Sequence, residues 1–555
     1  MIEARSGTVT PARIELLDDA GAPHVPSQAL AVAGDCGWRP IHNWISWAAR
    51  VQMRRALSSE VHNPYTGTTH FYLAEPARMR VPAGRYTARA FKGIEYVVAE
   101  AEIEVRDGET AALSLGLVRW VDMPAEGWYG ADDHLHIPRP SGRFDERIAR
   151  WMEAEDLHLA NLLQMGLAQS IHITPQHAFG SPSVYQTAGT LLASGQENPR
   201  THVLGHSIIL GAPQWIDYPE NYLAYDRFWR QARQDGAVTG FAHWGVGGAD
   251  EGLAVWIPDG LLDFLEVLGF GLPYYDAWYQ LLDLGIRMTP TAGTDYPCSP
   301  SLPGRERFYT QVDGELTFGA WLDAVRRGRS FVTNGPVLDF RVNGVSMGDE
   351  LHLQAPGTVT VTGRVRFDPQ RDNVVSLELV GSGGEVLFSS GEHTGAGQIR
   401  IELELSVSHA TWLALRASGH KLNETPVDFA AGLAAALMHL ERASNEEILK
   451  RLPADGSPRP SAAHSAPVFV TVAGTPSLAQ QPRATEAAAA WLARLEELAR
   501  RFAPDRIGEL ASFPGRGDGL ELEDLEGGRE DLLRAIERAR TAYHEWQHRH
   551  GQAHD

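Results

Sequence analysis

The sequence predicts a multi-domain protein of mixed α/β and β structure, with an α/β barrel or sheet between two β regions and a helical segment at the end. Three observations support this fold class. The hydrophobic period changes twice along the chain, strand-like and helix-like runs alternate only in its middle, and 555 residues exceed what one core can organise. The predicted domains are 1–125, 126–335, 336–480 and 481–555.

The first region, residues 1–125, is predicted to be a β-sandwich. Short strand-like runs such as RYTARAF and AEIEV are separated by the turn-forming segments VPAGRY and RDGET. Short strands divided by regular turn signals are typical of sandwiches.

The second region, residues 126–335, alternates between strand-like and helix-like segments. Its apolar runs are LHLANLL, THVLGHSIIL, VTGFAHWG, LLDFLEVL and IRMTPTAGTD. Between them lie amphipathic segments such as FDERIARWMEAEDL, where Ile148, Trp151 and Met152 recur at helical spacing. This alternation predicts an α/β barrel or sheet with functional residues at the strand ends.

The remaining regions return to β structure and then become helical. Alternate apolar residues in GTVTVTGRVRF and IRIELELSV predict half-buried antiparallel strands and a second β-sandwich over 336–480. The Ala- and Glu-rich segment VDFAAGLAAALMHLERASNEEILKRL is predicted to be an insertion in it. From about residue 481 the chain is helical, and Leu533, Ile536 and Tyr543 form an apolar stripe that should pack on another element.

Composition excludes several classes of partner. The net charge of −21 argues against nucleic acid, which is bound through basic surface. No run approaches the roughly 18 apolar residues of a membrane span. Two cysteines cannot supply a disulfide framework. We expect a protein that binds a small molecule and is cytoplasmic as given, or periplasmic or secreted if a signal peptide was removed. The protein could also associate with further copies of itself as a homo-oligomer.

The stretch GADDHLHIPRP suggests a metal site. His134 and His136 are two residues apart, so in an extended strand their imidazoles project from the same face. Two histidines alone hold a metal weakly, and hydrolytic sites add carboxylates and further imidazoles. The middle region offers such residues near the ends of its apolar runs, namely Glu197, His206, His243 and Asp295.

Each of these residues also has an ordinary structural explanation. His206 suits a hydrogen-bonded core position, Glu197 suits a Gly-rich turn that it caps, and Asp295 before Tyr-Pro suits a turn. Their joint occurrence in one α/β region favours the metal site, because strand ends of a barrel share a rim in space and not a spacing in sequence.

The order of these motifs resembles that of the PHP superfamily of metal-dependent hydrolases. The matching segments are the D-x-H-x-H of ADDHLHI, then SGQE, GHSIILG, FAHWG and AGTD. Two later segments, AWLDAVRRGRSFVTNGPVLDFRVNG and AHSAPVFVTVAG, are similar to the CehA/McbA branch, named after carbaryl-hydrolysing members. The resemblance runs from roughly residue 80 to the end of the chain. It implies a PHP-like distorted (β/α) barrel, flanked by the two β-sandwiches, with metal ions at its C-terminal rim.

The resemblance also implies roles for individual residues. It makes His134, His136, Glu197 and Asp295 the ligands of a first ion, with Glu197 bridging to a second ion held by His206 and His243. Asp132 resembles a residue that orients a ligand imidazole. The family's Thr-Asp-His is replaced here by LANLLQMG, and YPCSP follows AGTD without a histidine. We therefore expect one or two divalent ions, with Zn favoured and Mn or Fe compatible with the ligands.

A divalent ion in this site would lower the pKa of water from about 16 toward 7 and polarise the oxygen under attack. Asp295 is the predicted proton acceptor, a task that His206 or His243 could share. Five residues near the rim are predicted to contact substrate: Arg139, His172, His177, Arg305 and Arg307. The arginines equally suit ion pairs with surface acids, and the histidines equally suit exposed loops.

Three functions remain open from the sequence. The first is hydrolysis of a carbonyl bond (a carbamate, ester or amide) in a small substrate, aromatic ones included, which the CehA/McbA resemblance favours. The second is a metal-dependent phosphoesterase, which the arginines favour. The third is a catalytically inactive protein whose β domains bind a glycan or a partner, which the missing Asp and His residues favour.

Overall fold

The computed structural model describes residues 1–33, 57–62, 67–166, 172–201, 203–243, 249–269, 272–297, 301–391, 397–422, 459–511 and 522–548. Over these residues the protein is mixed α/β with large sheets, which confirms the mixed α/β character of the predicted fold. The PHP-like barrel flanked by two sandwiches stays a prediction. In the described part of the chain, no helix combines the length and apolar character needed to cross a membrane. The predicted insertion at 427–452 lies outside the described residues.

The N-terminal region forms an antiparallel five-stranded sheet, with strands in the order Val61–His62, Thr69–Leu73, Ala12–Asp18, Gly84–Phe91 and Ala99–Val105. A short parallel ladder joins Ile2–Glu3 to Gly116–Leu117. Alternation within Gly84–Phe91 buries Ala88 and Ala90, which pack with Ile14 and Phe71. The predicted strands are confirmed here, and the two-layered sandwich stays a prediction.

The central region is built on the strands Trp128–Leu135, Leu159–Gly166, His172–Ile173, Tyr185–Gln186, Leu191–Thr201, Gly205–Leu210, Val238–Phe241, Phe264–Gly269, Leu272–Pro273, Thr289–Ala292, Arg307–Gln311 and Ser330–Thr333. Those of four or more residues are buried almost throughout. The helices between them are Asp145–Ala154, Tyr225–Gln234, Ala249–Trp256, Asp276–Asp283 and Phe318–Arg327.

Strand direction in this region decides where the candidate site lies. Six strands run the same way: Trp128–Leu135, Leu159–Gly166, Leu191–Thr201, Val238–Phe241, Phe264–Gly269 and Thr289–Ala292. Gly205–Leu210 runs opposite to its neighbours, so its amino end lies beside their carboxyl ends. A parallel bridge from Leu135 to Tyr296 links the first of these strands to the segment after the last, within a strand network that closes on itself.

The helices cover this network with their apolar faces, as their sequence period predicts. In Asp145–Ala154 the buried side chains include Ile148, Trp151 and Met152. Phe318–Arg327 begins after Thr317, whose side chain accepts a hydrogen bond from the backbone N–H of Ala320. It ends at Gly328, where φ is 76°, a conformation that favours glycine.

The third region contains the strands Val337–Val342, Val345–Ser346, Glu350–Leu353, Gly357–Arg366, Asp372–Gly381, Glu385–Ser389, Gln398–Val407, Thr411–Lys421, Pro460–Ser465 and Val468–Val472. Period two is confirmed in Gly357–Arg366, where Val359, Val361 and Val365 are buried. These valines share a core with residues of a different sheet, such as Leu379 and Leu413.

Two contacts tie the regions together. Ser330–Thr333 pairs with Pro460–Ser465, so hydrogen-bonded strands cross the predicted boundary at residue 335. The terminal helices are Pro482–Arg501, Ile507–Ala511 and Leu522–His548. On the last of them Ile536 and Tyr543 are buried, as predicted, and Leu533 is half-buried against the same core. The Tyr543 hydroxyl donates to the carbonyl of Ala254 at 2.8 Å.

Short 3₁₀ helices occur at Pro124–Glu126, Gly142–Phe144, Ser181–Ser183, Pro219–Asn221, Ile257–Asp259, Ser382–Gly384 and Leu478–Gln480.

Candidate metal centre

His134 and His136 project from the carboxyl end of the strand Trp128–Leu135, and both are fully buried. Their Nε2 atoms lie 3.0 Å apart, as expected for side chains two residues apart on one strand face. Burial lowers the pKa of His136, which keeps its imidazole neutral and able to donate a lone pair. This confirms the predicted geometry of the HxH pair.

Glu197 lies at the centre of the cluster. Its Oε1 is 2.7 Å from Nδ1 of His206, and its Oε2 is 3.4 Å from Nε2 of His136. The predicted turn is wrong, because Glu197 lies inside the strand Leu191–Thr201. There the register with Gly205–Leu210 shifts between Glu197 and Arg200, a bulge that re-aims side chains.

His206 and His243 reach the cluster from two neighbouring antiparallel strands. His206 is near the amino end of Gly205–Leu210, and His243 follows the carboxyl end of Val238–Phe241. Since these ends adjoin, Nδ1 of His206 lies 3.0 Å from Nε2 of His243. Nε2 of His243 is also 3.7 Å from Oε1 of Glu197.

Asp295 completes the group from the segment that follows Thr289–Ala292. Its Oδ1 lies 2.9 Å from Nε2 of His136 and 3.4 Å from Nε2 of His134. The backbone φ is 53° at Asp295 and 26° at His243, positive values that are unfavourable for residues with a Cβ. Such strain often occurs where the surrounding structure fixes a functional side chain.

The six predicted ligands therefore converge. Three overlapping groups of their donor atoms are each compact enough to hold an ion: His134–His136–Glu197, His134–His243–Asp295 and Glu197–His206–His243. Bonds of about 2.0–2.2 Å to a tetrahedral ion would separate neighbouring ligand atoms by about 3.2–3.6 Å. The separations from 2.7 to 3.7 Å bracket this range, so these residues fit a metal.

Charge and exposure differ across the cluster. Burial opposes ionisation, but Arg200 and His206 hold the pKa of Glu197 well below its ordinary value. Burial likewise opposes the charge on Asp295, and His134 and His136 hold its pKa below the ordinary value. Asp295 and His206 have side chains 14% and 15% exposed, whereas Glu197 is 1% exposed. The cluster is thus open to solvent on the side of Asp295 and His206.

Glu266, which the sequence analysis missed, orients a ligand imidazole. It lies within the strand Phe264–Gly269, and its Oε1 is 2.9 Å from Nδ1 of His134. Its Oε2 accepts the backbone N–H of His243. Although burial opposes protonation, Glu266 and Asp295 raise the pKa of His134 well above its usual value.

Asp132, predicted to orient a ligand imidazole, contacts backbone N–H groups and a hydroxyl in the structure. Asp132 is fully buried, and its carboxylate accepts backbone N–H groups, from His134 at 3.1 Å, Thr294 at 3.1 Å and Gly304 at 2.8 Å. The Thr294 hydroxyl donates to it at 2.6 Å. Asp132 positions the backbone on both sides of the cluster and not an imidazole.

The predicted substrate-binding arginines do not meet at this site. Arg139 is fully buried and donates to the carbonyl of Ser183 and the hydroxyl of Ser194. Arg307 is also buried and donates to three backbone carbonyls, two of them in the turn after Asp145–Ala154. Arg305 lines a separate cavity. In the described part of the chain, Arg200 is the arginine beside the cluster, with Nε 3.0 Å from Oε2 of Glu197.

The predicted histidines lie on the segment after Leu159–Gly166. The backbone of His172 pairs with Gly166, and its side chain lies outside the described part of the structure. Nε2 of His177 is 3.5 Å from Oδ1 of Asp145, at the start of a helix. The structure therefore does not bring His177 into the cluster.

A second group of potential ligands has different chemistry. Glu95, Asp156 and His158 lie close together, but Arg119 donates to both carboxylates, at 2.7 Å for Asp156. Burial lowers the pKa of His158 to about 4. A guanidinium between two carboxylates makes this group an ion-pair network that joins the N-terminal region to the central one.

Comparison with protein-family models finds none that matches this chain, and comparison with curated proteins finds no match either.

Proposed function

We propose that this protein is a metal-dependent hydrolase of the CehA/McbA type that uses water to cleave a carbonyl bond in a small substrate. The observation that carries the proposal is the convergence of six side chains, four of them buried and two partly exposed. They are His134, His136, Glu197, His206, His243 and Asp295. Four imidazoles and two carboxylates whose acceptor atoms face each other add little to the stability of a protein core, because burying polar atoms without donors is costly. The same atoms stabilise a bound divalent cation.

A bound cation would lower the pKa of water and polarise the scissile oxygen. Side chains of the protein would orient the ligands and accept the proton. Glu266 holds His134 with Nε2 toward the other ligands, since its carboxylate can only accept the proton of Nδ1. Asp295 lies on the open side of the cluster as a carboxylate, so it is positioned to accept the proton that water releases.

Glu197 lies within 3.7 Å of imidazole nitrogens from both ends of the cluster, on His136 and on His243. This central position supports one or two ions, with Glu197 bridging if there are two. Imidazole and carboxylate ligands suit Zn, Mn and Fe, and we propose Zn.

A phosphoesterase is the second candidate. The guanidinium of Arg200, 3.0 Å from Glu197, favours it because guanidinium groups bind phosphate well. Against it, Arg139 and Arg307 are engaged with serine and backbone oxygens of the protein itself. We therefore favour the carbonyl bond.

The test combines metal analysis with a substrate panel. The purified protein, and protein reconstituted with Zn, Mn or Fe, would be analysed for metal content and assayed on nitrophenyl esters, aryl carbamates and nitrophenyl phosphates. We expect one or two ions per chain and turnover of esters or carbamates, with both lost in Glu197→Gln and kept in the exposed control Glu385→Gln. Turnover of phosphates alone would favour the phosphoesterase. A protein that takes up no stoichiometric metal would overturn both and favour a binding protein.

A further inference from the structure

A cavity of about 540 Å³ lies where the N-terminal, central and third regions meet. It is distinct from the metal centre, because none of the six converging ligands is among the described residues that line it. Its described lining is rich in arginine, which is unusual in so acidic a chain. The six arginines among these residues are Arg13, Arg89, Arg305, Arg307, Arg371 and Arg459.

The described part of the lining is positively charged. Among its residues are six arginines and three carboxylates, those of Glu15, Glu100 and Glu155, which leaves an excess of three positive charges. The chain as a whole carries −21. Excess positive charge in a concave, partly apolar site concentrates anions there.

Two of these arginines, Arg13 and Arg371, have N–H groups that can donate further hydrogen bonds. A guanidinium carries five N–H groups. Among the described residues, Arg13 donates Nε to Glu155 at 2.9 Å, and Arg371 donates Nη1 to the carbonyl of Gly93 at 2.8 Å. Their other N–H groups make no described hydrogen bond, so a planar fork on each is available to a carboxylate or a phosphate.

The cavity is too large for a single ion and is not wholly polar. Its volume falls within the range of about 300–1,000 Å³ typical of sites for small organic ligands. Apolar side chains complete the walls, among them Phe91, Ile94 and Leu302. The guanidinium of Arg13 lies over the Phe91 ring, 4.3 Å from its centroid, which fixes its plane.

We propose that this cavity is a second ligand site, which binds an organic anion carrying carboxylate or phosphate groups, held by Arg13 and Arg371 where three regions of the chain meet. The proposal does not depend on the hydrolase activity. Because Arg13 belongs to the N-terminal region and Arg371 to the third region, an anion held by both stabilises the association of these two regions.

The first test is calorimetric titration of the full chain after metal has been removed with a chelator and the chelator dialysed away. Citrate, pyrophosphate and inorganic phosphate are the probes, at constant ionic strength. We expect citrate or pyrophosphate to bind with one site per chain and to raise the melting temperature, and the comparison of the two identifies the preferred group. Binding that disappears with the metal, or no binding of any probe, would overturn the proposal.

Variants locate the site. Arg371→Gln should weaken binding about tenfold, the usual effect of losing a charged hydrogen-bond pair. Glu15→Gln should strengthen it about threefold by removing a negative charge from the wall, a gain that a damaged fold would not give. Arg341→Gln, at an exposed arginine of the third region, is the matched control and should change nothing. Equal weakening by Arg371→Gln and Arg341→Gln, or no gain with Glu15→Gln, would overturn the assignment.

Discussion

Oε1 of Glu266 lies 2.9 Å from Nδ1 of His134, and this contact decides which nitrogen of the imidazole faces the other ligands. A carboxylate accepts, so Nδ1 carries a proton and Nε2 is the nitrogen that faces His136 and Asp295 and would bind a metal ion once deprotonated. Glu266 also accepts the backbone N–H of His243 and thereby joins two parts of the cluster. One buried carboxylate thus orders ligands from two separate strands.

We predict that Glu266→Gln weakens metal binding by about 10–100-fold, the usual effect of losing a partner of a ligand histidine. The amide cannot accept both hydrogen bonds, and the negative charge behind His134 is lost. Competition against a chromophoric chelator would measure the affinity, with the exposed Glu385→Gln as control. Unchanged affinity would mean that Glu266 serves only the fold.

The sequence could predict the ligands because their positions are local. His136 and His243 follow the carboxyl ends of their strands, and parallel strands bring such ends to one rim. Glu197 lies inside its strand, and a bulge directs it to the cluster. Glu266 was missed because it lies in the middle of the run LLDFLEVL, which predicts a buried strand and nothing more. The available signal was the carboxylate itself, since an ionised group inside a buried strand requires a partner.

The direction of a side chain was harder to predict than its position. Arg139 and Arg307 do lie close to strand ends, but their guanidinium groups turn into the protein toward serine and backbone oxygens. Which oxygens these are depends on segments far away in sequence. The pairing of Ser330–Thr333 with Pro460–Ser465 is equally non-local, and period two alone cannot reveal it.

Asp295→Asn tests the proton acceptor. The amide can still lie beside the histidines but cannot take a proton, so turnover per bound metal should fall about 10²–10⁴-fold. Turnover and metal content would be measured on the same samples. The control Asp313→Asn changes a 71% exposed carboxylate and should leave both unchanged. Full turnover of Asp295→Asn with metal still bound would refute the assignment.

Gly293→Ala tests how tightly the cluster is packed. An added Cβ would lie 2.6 Å from Oε1 of Glu266 and 2.7 Å from Oδ1 of Asp133, and it would also collide with Cβ of His134. We expect a loss of about 1–3 kcal/mol in the free energy of unfolding, together with weaker metal binding.

The matched control is Gly319→Ala, where nothing lies within 4 Å and a helix begins. It should be neutral or stabilise the protein by up to about 1 kcal/mol. Denaturant unfolding of both variants would measure the difference. Equal stability of Gly293→Ala and the wild-type protein would show that the backbone around His134 can move.

Stability at acid pH should depend on His464, which lies outside the metal centre. It is fully buried, with Nε2 2.6 Å from the hydroxyl of Tyr279 and Nδ1 2.8 Å from the carbonyl of Ser465. Burial, with the charge of Arg416, lowers its pKa to about 3. In the unfolded chain His464 binds a proton below about pH 6.5, whereas in the folded protein it stays neutral down to about pH 3. The free energy of unfolding therefore falls as the pH drops from 6.5 toward 3.

His464→Gln removes this proton while a polar side chain stays in place. Relative to wild type, the variant should lose about 3 kcal/mol less between pH 6.5 and 4, because each pH unit in that window contributes about 1.4 kcal/mol. Denaturant unfolding of metal-free protein at several pH values would measure this difference. The histidines of the metal centre are present in both proteins, so their titration cancels in the comparison. His352→Gln, whose side chain is 68% exposed, should follow the wild-type curve. Parallel curves for His464→Gln and wild type would mean that His464 is protonated in the folded protein as readily as in the unfolded chain.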